Sequence, residues 1–284
     1  MKKLFAKKSV FITATVLLSA LLLLGILQLG AAVSSGWRAW SPEYSKEDIT
    51  SIVYKEKDKL SDEDYDTLFR QTGLTRLGID GLIDKNLRYR ILEIQEQYFE
   101  EQSYAFHSFG PFTGFMKRSS DSPRVRYAVL ENGDILYSAS TFFSFFRLGH
   151  SSLVIDAAGA KIAQASGYGD PLKLLYTGAF FDRASFVILR VNADAETKNA
   201  VVDYAAENML GLDYSILAGI FGKKNKENLK STHCSHFIWY AYDKFGVDID
   251  SNGGKIVTPD QILRSENVSV VQVYGIDPAK VIKN

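Results

Sequence analysis

Residues 11–33, FITATVLLSALLLLGILQLGAAV, carry no charge, and this run limits what the chain can become more than any other feature of it. As a helix it rises about 34 Å at ~1.5 Å per residue, enough to cross the hydrocarbon core of a bilayer with some tilt. Lys2, Lys3, Lys7 and Lys8 precede it, and no acid occurs before Glu43. Basic residues on one flank of a span keep that flank in the cytoplasm. Residues 1–33 are therefore expected to form an uncleaved signal anchor, a single-pass transmembrane helix with the remainder of the chain extracytoplasmic at the cell membrane. The competing reading is a cleaved signal peptide, since Ala32-Val33-Ser34 is a small-x-small site, although the apolar stretch exceeds the usual h-region.

The remainder has a globular composition: 46% hydrophobic and 23% charged over the whole chain. Setting the four N-terminal lysines aside leaves 29 basic against 33 acidic residues, about −4. Such a body lacks the basic footprint that nucleic acid demands, so nucleic acid is not an expected partner. The one cysteine, Cys234, has no second cysteine for an intramolecular disulfide.

Residues 34–42 read as a linker whose Trp37 and Trp40 suit a membrane interface or the start of the fold. From 45 to 104 the period is helical. Ser61, followed by Asp62-Glu63-Asp64, is an N-cap signal, Tyr65, Leu68 and Phe69 share one face, and Gly73 is a helix stop. Two further helices carry Leu77, Ile79 and Leu82, then Ile91, Ile94 and Tyr98. Residues 110–123 read as loop. Beyond them strands are expected at 125–130 and 135–138 about an Asn132-Gly133 hairpin turn, at 148–156 and 160–165 about Ala157-Ala158-Gly159, at 186–191 and at 268–274. Helices are expected at 194–209 and 234–245, and a short one opens at Thr258-Pro259-Asp260. Residues 223–230 read as an exposed loop. Strands grouped apart from helices give an α+β fold, in three parts: the anchor 1–33, a linker and helical extension 34–110, and a main domain 111–284.

Cys234 falls near the first turn of its helix, where free N–H groups and the helix dipole favour a thiolate. A buried structural cysteine is the bland alternative. Four histidines exist to pair with it: His107, His150, His233 and His236. His236 lies about 200° round the helix from Cys234 and His233 is adjacent, so neither faces it. His107 sits in an irregular stretch. His150, early in a strand and preceded by Gly149, has room to face a helix packed across the sheet, although a strand histidine is often simply structural. If Gly159 is left-handed in a three-residue loop, 156 pairs with 160, 152 with 164 and 150 with 166. His150 and Gln164 then share a face as diagonal neighbours, and Gln164 can orient the imidazole. His233, Cys234 and His236 lack metal-ligand spacing, so neither metal nor cofactor is expected.

Gly149-His150-Ser151-Ser152-Leu153-Val154, then Ile162-Ala163-Gln164-Ala165, then Cys234-Ser235 leading an aromatic helix, resemble the permuted NlpC/P60 papain-like cysteine hydrolases of the YiiX/YebB-like group, in which the histidine precedes the cysteine. Thr258-Pro259-Asp260-Gln261-Ile262 is similar to that group's closing segment, and Asp64-Tyr65 with Gln71-Thr72-Gly73-Leu74 to a helical extension of some Gram-positive members. The resemblance implies a circularly permuted papain-like fold, a six-stranded antiparallel core packed on the cysteine helix. It implies Cys234 as nucleophile and His150 as base, with the third polar position, commonly Glu, falling on Gln164. The expected substrate is a peptide or amide bond, with peptidoglycan the nearest polymer. The group's likeness to lecithin:retinol acyltransferase makes a lipid acyl ester or amide the rival, with Tyr168, Tyr176, Phe180 and Phe181 as candidate lining. An inactive, membrane-anchored binding module is the non-enzymatic alternative.

Overall fold

The apolar run is helical. In the computed structural model, which describes residues 2–110, 112–119, 124–219 and 229–281, α1 covers Lys2–Ser34 and is long and apolar enough to cross a membrane. Most of its length from Phe11 onward is exposed; Gly30, Ala31 and Ser34 are its buried positions. After a short α2 (Thr50–Val53) come α3 (Asp62–Thr72), α4 (Arg76–Asp84) and α5 (Arg88–Phe99). Ser61 caps α3 in a capping box with Asp64, and Gly73 closes it in the left-handed conformation at φ 70°, as its sequence specifies.

The strands and remaining helices follow: β1 (Tyr104–Ser108), β2 (Thr113–Arg118), β3 (Ile135–Ser138), β4 (Thr141–Phe143), β5 (Phe146–Arg147), β6 (His150–Asp156), β7 (Lys161–Gln164), β8 (Lys173–Tyr176), α6 (Gly178–Phe181), β9 (Phe186–Val191), α7 (Ala195–Asn208), β10 (Asp213–Tyr214), β11 (Ser231–Thr232), α8 (His236–Lys244), α9 (Pro259–Leu263) and β12 (Val268–Tyr274). The main sheet has six strands in the order β12-β9-β3-β6-β7-β8, every neighbouring pair antiparallel. One face buries Leu153, Val187 and Leu189 against Phe237, Ile238 and Tyr242 of α8 and Val201 of α7. The other buries Val154, Ile162 and Ile188 against Leu68, Leu82 and Ile94 of α3–α5. The fold is α+β, and the helical extension shares a core with the sheet. Because both faces are covered, β6 is buried through most of its length and shows none of the in-out alternation of a half-exposed strand.

Three local expectations fail. Residues 125–130 form no strand: β3 is flanked on both sides by β6 and β9, which leaves no edge for a hairpin partner. The backbone of 126–129 is satisfied by side chains instead, Arg126 N–H by Gln97, Ala128 N–H by Gln272 and the Val129 carbonyl by Arg190. Within 110–123, residues 113–118 are β2, part of a second sheet ordered β1-β2-β4-β5 that also contains His107; residues 111 and 120–123 lie outside the described residues. Most of the 223–230 loop likewise lies outside them. The β6–β7 register does have the expected offset, Leu153 opposite Ala163 and Val154 opposite Ile162. Its turn differs. A bulge sets Asp156 opposite Lys161, and Ala160, not Gly159, takes the positive φ of 52°. The Gly159 N–H donates to Asp156 Oδ1, which holds the turn.

Candidate active site

Cys234 lies two residues ahead of α8, in the turn that leads into it, and not within the helix itself. Ser235, the N-cap residue, donates its hydroxyl to the Val257 carbonyl at 2.7 Å. Two residues beyond Val257, Pro259 packs on Gly149, where a Cβ would meet it at 3.3 Å and where φ is +66°, so a glycine is required to turn the chain into β6. The 257–259 segment thus touches both the cysteine turn and the start of the histidine strand.

Alternation along β6 decides where the side chains go. Leu153 faces α7 and α8 and Val154 faces the extension, and Ser151 alternates with Leu153. Cys234 accordingly meets Ser151, the residue after His150: the Ser151 N–H donates to the sulfur, and the Ser151 hydroxyl lies beside it, buried and without a well-formed hydrogen bond. His150 is the first residue of β6 and is buried. Its ring stacks on Phe180, with centroids 6.0 Å apart and planes at 20°, and its Nε2 is buried without a hydrogen-bond partner among the described residues. Gln164 does reach His150. Its Oε1 also accepts from Ser152 Oγ at 2.9 Å and its Nε2 donates to Ser166 Oγ at 2.7 Å, so both ends of the amide are fixed.

A residue that sequence reasoning missed lies between these groups. Arg183, 4% exposed, donates Nη1 to Thr141 Oγ1 at 2.8 Å and sits 4.2 Å from the Phe115 ring centroid and 5.5 Å from that of Phe180. Its Nε has no partner, and among the described residues no carboxylate forms an ion pair with it. Nothing in Phe181-Asp182-Arg183-Ala184 announces this; the burial comes from β2 and β4 of the second sheet folding over it.

The electrostatics follow. Burial pushes the Cys234 thiol up, opposed by Ser151 and Ser235. Burial, and then the Arg183 charge, hold the His150 imidazole well below its usual range, opposed by Gln164. Burial lowers Arg183 to about 10, opposed by a Cys234 thiolate. Burial, and then the Cys234 charge, push Tyr214 up. The resting pair is a thiol and a neutral imidazole, with one guanidinium in electrostatic reach of both.

The other histidines stay apart: His107 is exposed against Phe115, while His236 is buried between Thr232 and Trp239. Of the candidate acyl-lining aromatics, Phe180 and Phe181 are core, whereas Tyr168 and Tyr176 are exposed. Among the described residues no cluster of three or more His, Cys, Asp or Glu could hold a metal ion.

Comparison with known proteins gives one informative likeness. The chain is similar to the uncharacterized protein YycO of Bacillus subtilis (strain 168), 25% identical over 141 residues, which covers 49% of this chain and 55% of YycO. The chain thus spans about half the length of that relative. No protein-family profile and no solved structure matches.

Proposed function

We propose that this chain is a membrane-anchored, extracytoplasmic cysteine hydrolase of the permuted papain-like kind, with Cys234 as nucleophile, His150 as base and Gln164 orienting the ring. One observation supports the reading: a buried guanidinium, Arg183, with no ion-paired carboxylate among the described residues, is in electrostatic reach both of Cys234 before its helix and of His150 at the start of β6. Strongly perturbed titratable groups gathered in this way mark functional sites more often than structural ones.

The chemistry is acyl transfer. The Cys234 thiol proton passes to His150 Nε2 as the sulfur bonds to a substrate carbonyl carbon, and the Cys234 N–H meets the oxyanion at the helix entrance. The carbonyl–leaving-group bond then breaks as His150 returns the proton to the departing nitrogen or oxygen. Water attacks the thioester, gives its proton to His150 and releases the acid, which restores the thiol. Arg183 acts as a positioning residue. Its charge favours the forming thiolate and keeps the imidazole neutral, ready to accept a proton. The sulfur–imidazole hydrogen bond is not made at rest and has to form with substrate, as catalytic hydrogen bonds often do.

The substrate is an amide or peptide bond, with cell-wall peptides the nearest polymer; a lipid acyl bond is the alternative. A second reading, a binding module without turnover, is favoured by the protonated thiol held on Ser151. An acyl-mimicking thiol probe separates the two. Labelling of Cys234 that disappears in His150→Ala supports the hydrolase, and labelling no faster than free cysteine leaves only the binding module. Incubation with peptidoglycan and with a lipid panel, read by mass spectrometry, then names the bond.

A further inference from the structure

The two-residue turn between β4 and β5, Ser144-Phe145, lies against α1 inside the apolar run. Ser144 Oγ donates to the Leu27 carbonyl at 3.0 Å, and Ser34 Oγ donates to the Ser144 carbonyl at 2.5 Å. Gly30 is the point of closest approach: a Cβ there would collide with Ser144 and with the Phe145 ring. The apolar helix of 24 residues, Phe11–Ser34, rises about 36 Å against a hydrocarbon core of about 30 Å. Centred in that core, Ser34 stands about 3 Å outside and Leu27 about 7 Å within, at ~1.5 Å per residue.

The side chains at this depth are apolar and uncovered by protein. Phe145 is 47% and Phe146 63% exposed, and Phe109, at the tip of the β1–β2 hairpin, is 46% exposed. That second tip is joined to the first, because the Ser144 N–H donates to the Phe112 carbonyl at 2.7 Å. Ser144 has all three of its polar groups bonded, although its φ of 52° is one that glycine would adopt more readily. In water such satisfaction is optional; in hydrocarbon an unpaired donor or acceptor costs several kcal/mol. A serine that tolerates left-handed backbone in order to bond a helix carbonyl fits a turn without access to water. Arg147, over the Trp37 ring at 5.2 Å, follows directly, a cation and a tryptophan where the headgroups would lie.

We propose that the β4–β5 hairpin tip, Ser144 to Phe146, together with Phe109, is a second membrane contact of this protein, dipping into the outer leaflet beside α1. Its partner is the lipid bilayer. The proposal rests on α1 being a membrane anchor, and not on the catalytic reading. His150 follows Phe146 by four residues, so the candidate active site lies close in the chain to this contact.

The test uses the full chain in lipid nanodiscs on a Cys234→Ala background, with a polarity-sensitive fluorophore on single cysteines and nitroxide-bearing lipids as quenchers. Leu21→Cys reports the anchor, Phe146→Cys and Phe145→Cys report the hairpin, and Ala158→Cys reports the far end of β6. Blue-shifted emission and quenching at 21, 145 and 146, with neither at 158, is the expected result. Quenching at 21 with 145 and 146 behaving like 158 overturns the hairpin insertion and leaves the anchor standing. No quenching at 21 overturns the anchor and the hairpin with it.

Discussion

Arg190, within β9, is largely covered and Arg183, just before β9, is fully buried, and their surroundings are opposite. Arg190 reaches both oxygens of the buried Asp134 carboxylate, Nε to Oδ1 at 3.0 Å and Nη2 to Oδ2 at 2.8 Å. It also pairs with Glu131, which Lys198 holds from its other side at 2.8 Å. Two acids answer two bases. Burial alone would lower Arg190, and Asp134 and Glu131 more than offset it, so its guanidinium is held more firmly protonated than usual. Arg183 has one hydroxyl and two aromatic faces, and the charge that steadies it is a Cys234 thiolate that exists only once the thiol is ionised. A closed ion network supports a fold; an open buried cation is tolerated where an anion has to appear.

That contrast breaks most visibly at Asp134. Asp134→Ala leaves the largely covered Arg190 without its principal counter-charge and is expected to cost about 3 kcal/mol, read as a fall in the denaturant midpoint at constant slope. Arg183→Met removes an uncompensated cation, so stability should hold or rise while labelling of Cys234 at pH 7 slows by about tenfold or more. A larger stability loss in Arg183→Met than in Asp134→Ala would erase the distinction between the two arginines. The pH profile sharpens it further. In the wild type, labelling should lack the inflection near 6.5 of an ordinary histidine, because His150 is held well below that value. In Arg183→Met one repulsive charge is gone, so the inflection moves up toward that value and the thiol titrates later.

Burial, with the neighbouring His236 charge, lowers His233 to about 3, from 6.5, against the pull of the Ala218 carbonyl. Below 6.5 the unfolded chain takes a proton there that the folded chain refuses, so stability falls as pH drops from 6.5 toward 3, by about 1.4 kcal/mol per pH unit. His233→Gln should flatten that slope in denaturant titrations without slowing Cys234 labelling. The smallest effect belongs to Gln164→Ala. Losing one orienting hydrogen bond costs about 1 kcal/mol, roughly fivefold in rate, and less than His150→Ala costs.

The parts of the fold that were legible in the sequence are those whose cause is local. Ser61 and Gly73 bound α3, Asp194 caps α7, Thr258 forms a capping box with Gln261, and 268–274 is a strand, because in each the deciding atoms lie within a few residues. The β6–β7 offset was legible for the same reason. The second sheet was not: its strands are two to six residues long, and the pairing of Thr113 with Phe143 depends on a contact across thirty positions. At the site, Cys234, His150 and Gln164 could be singled out as chemistry. The bond from the Ser151 N–H to Cys234 and the stacking of His150 on Phe180 could not, since both join parts of the chain that are remote in sequence. Arg183 was invisible, because its partners Phe115 and Thr141 are remote in the chain.

The strap at 257–259, holding Ser235 by a hydrogen bond and pressing on Gly149, belongs to neither side of the cysteine–histidine pair. Any slackening of it displaces sulfur and ring together, so their alignment has a single adjusting screw that lies outside both of the chain segments carrying them.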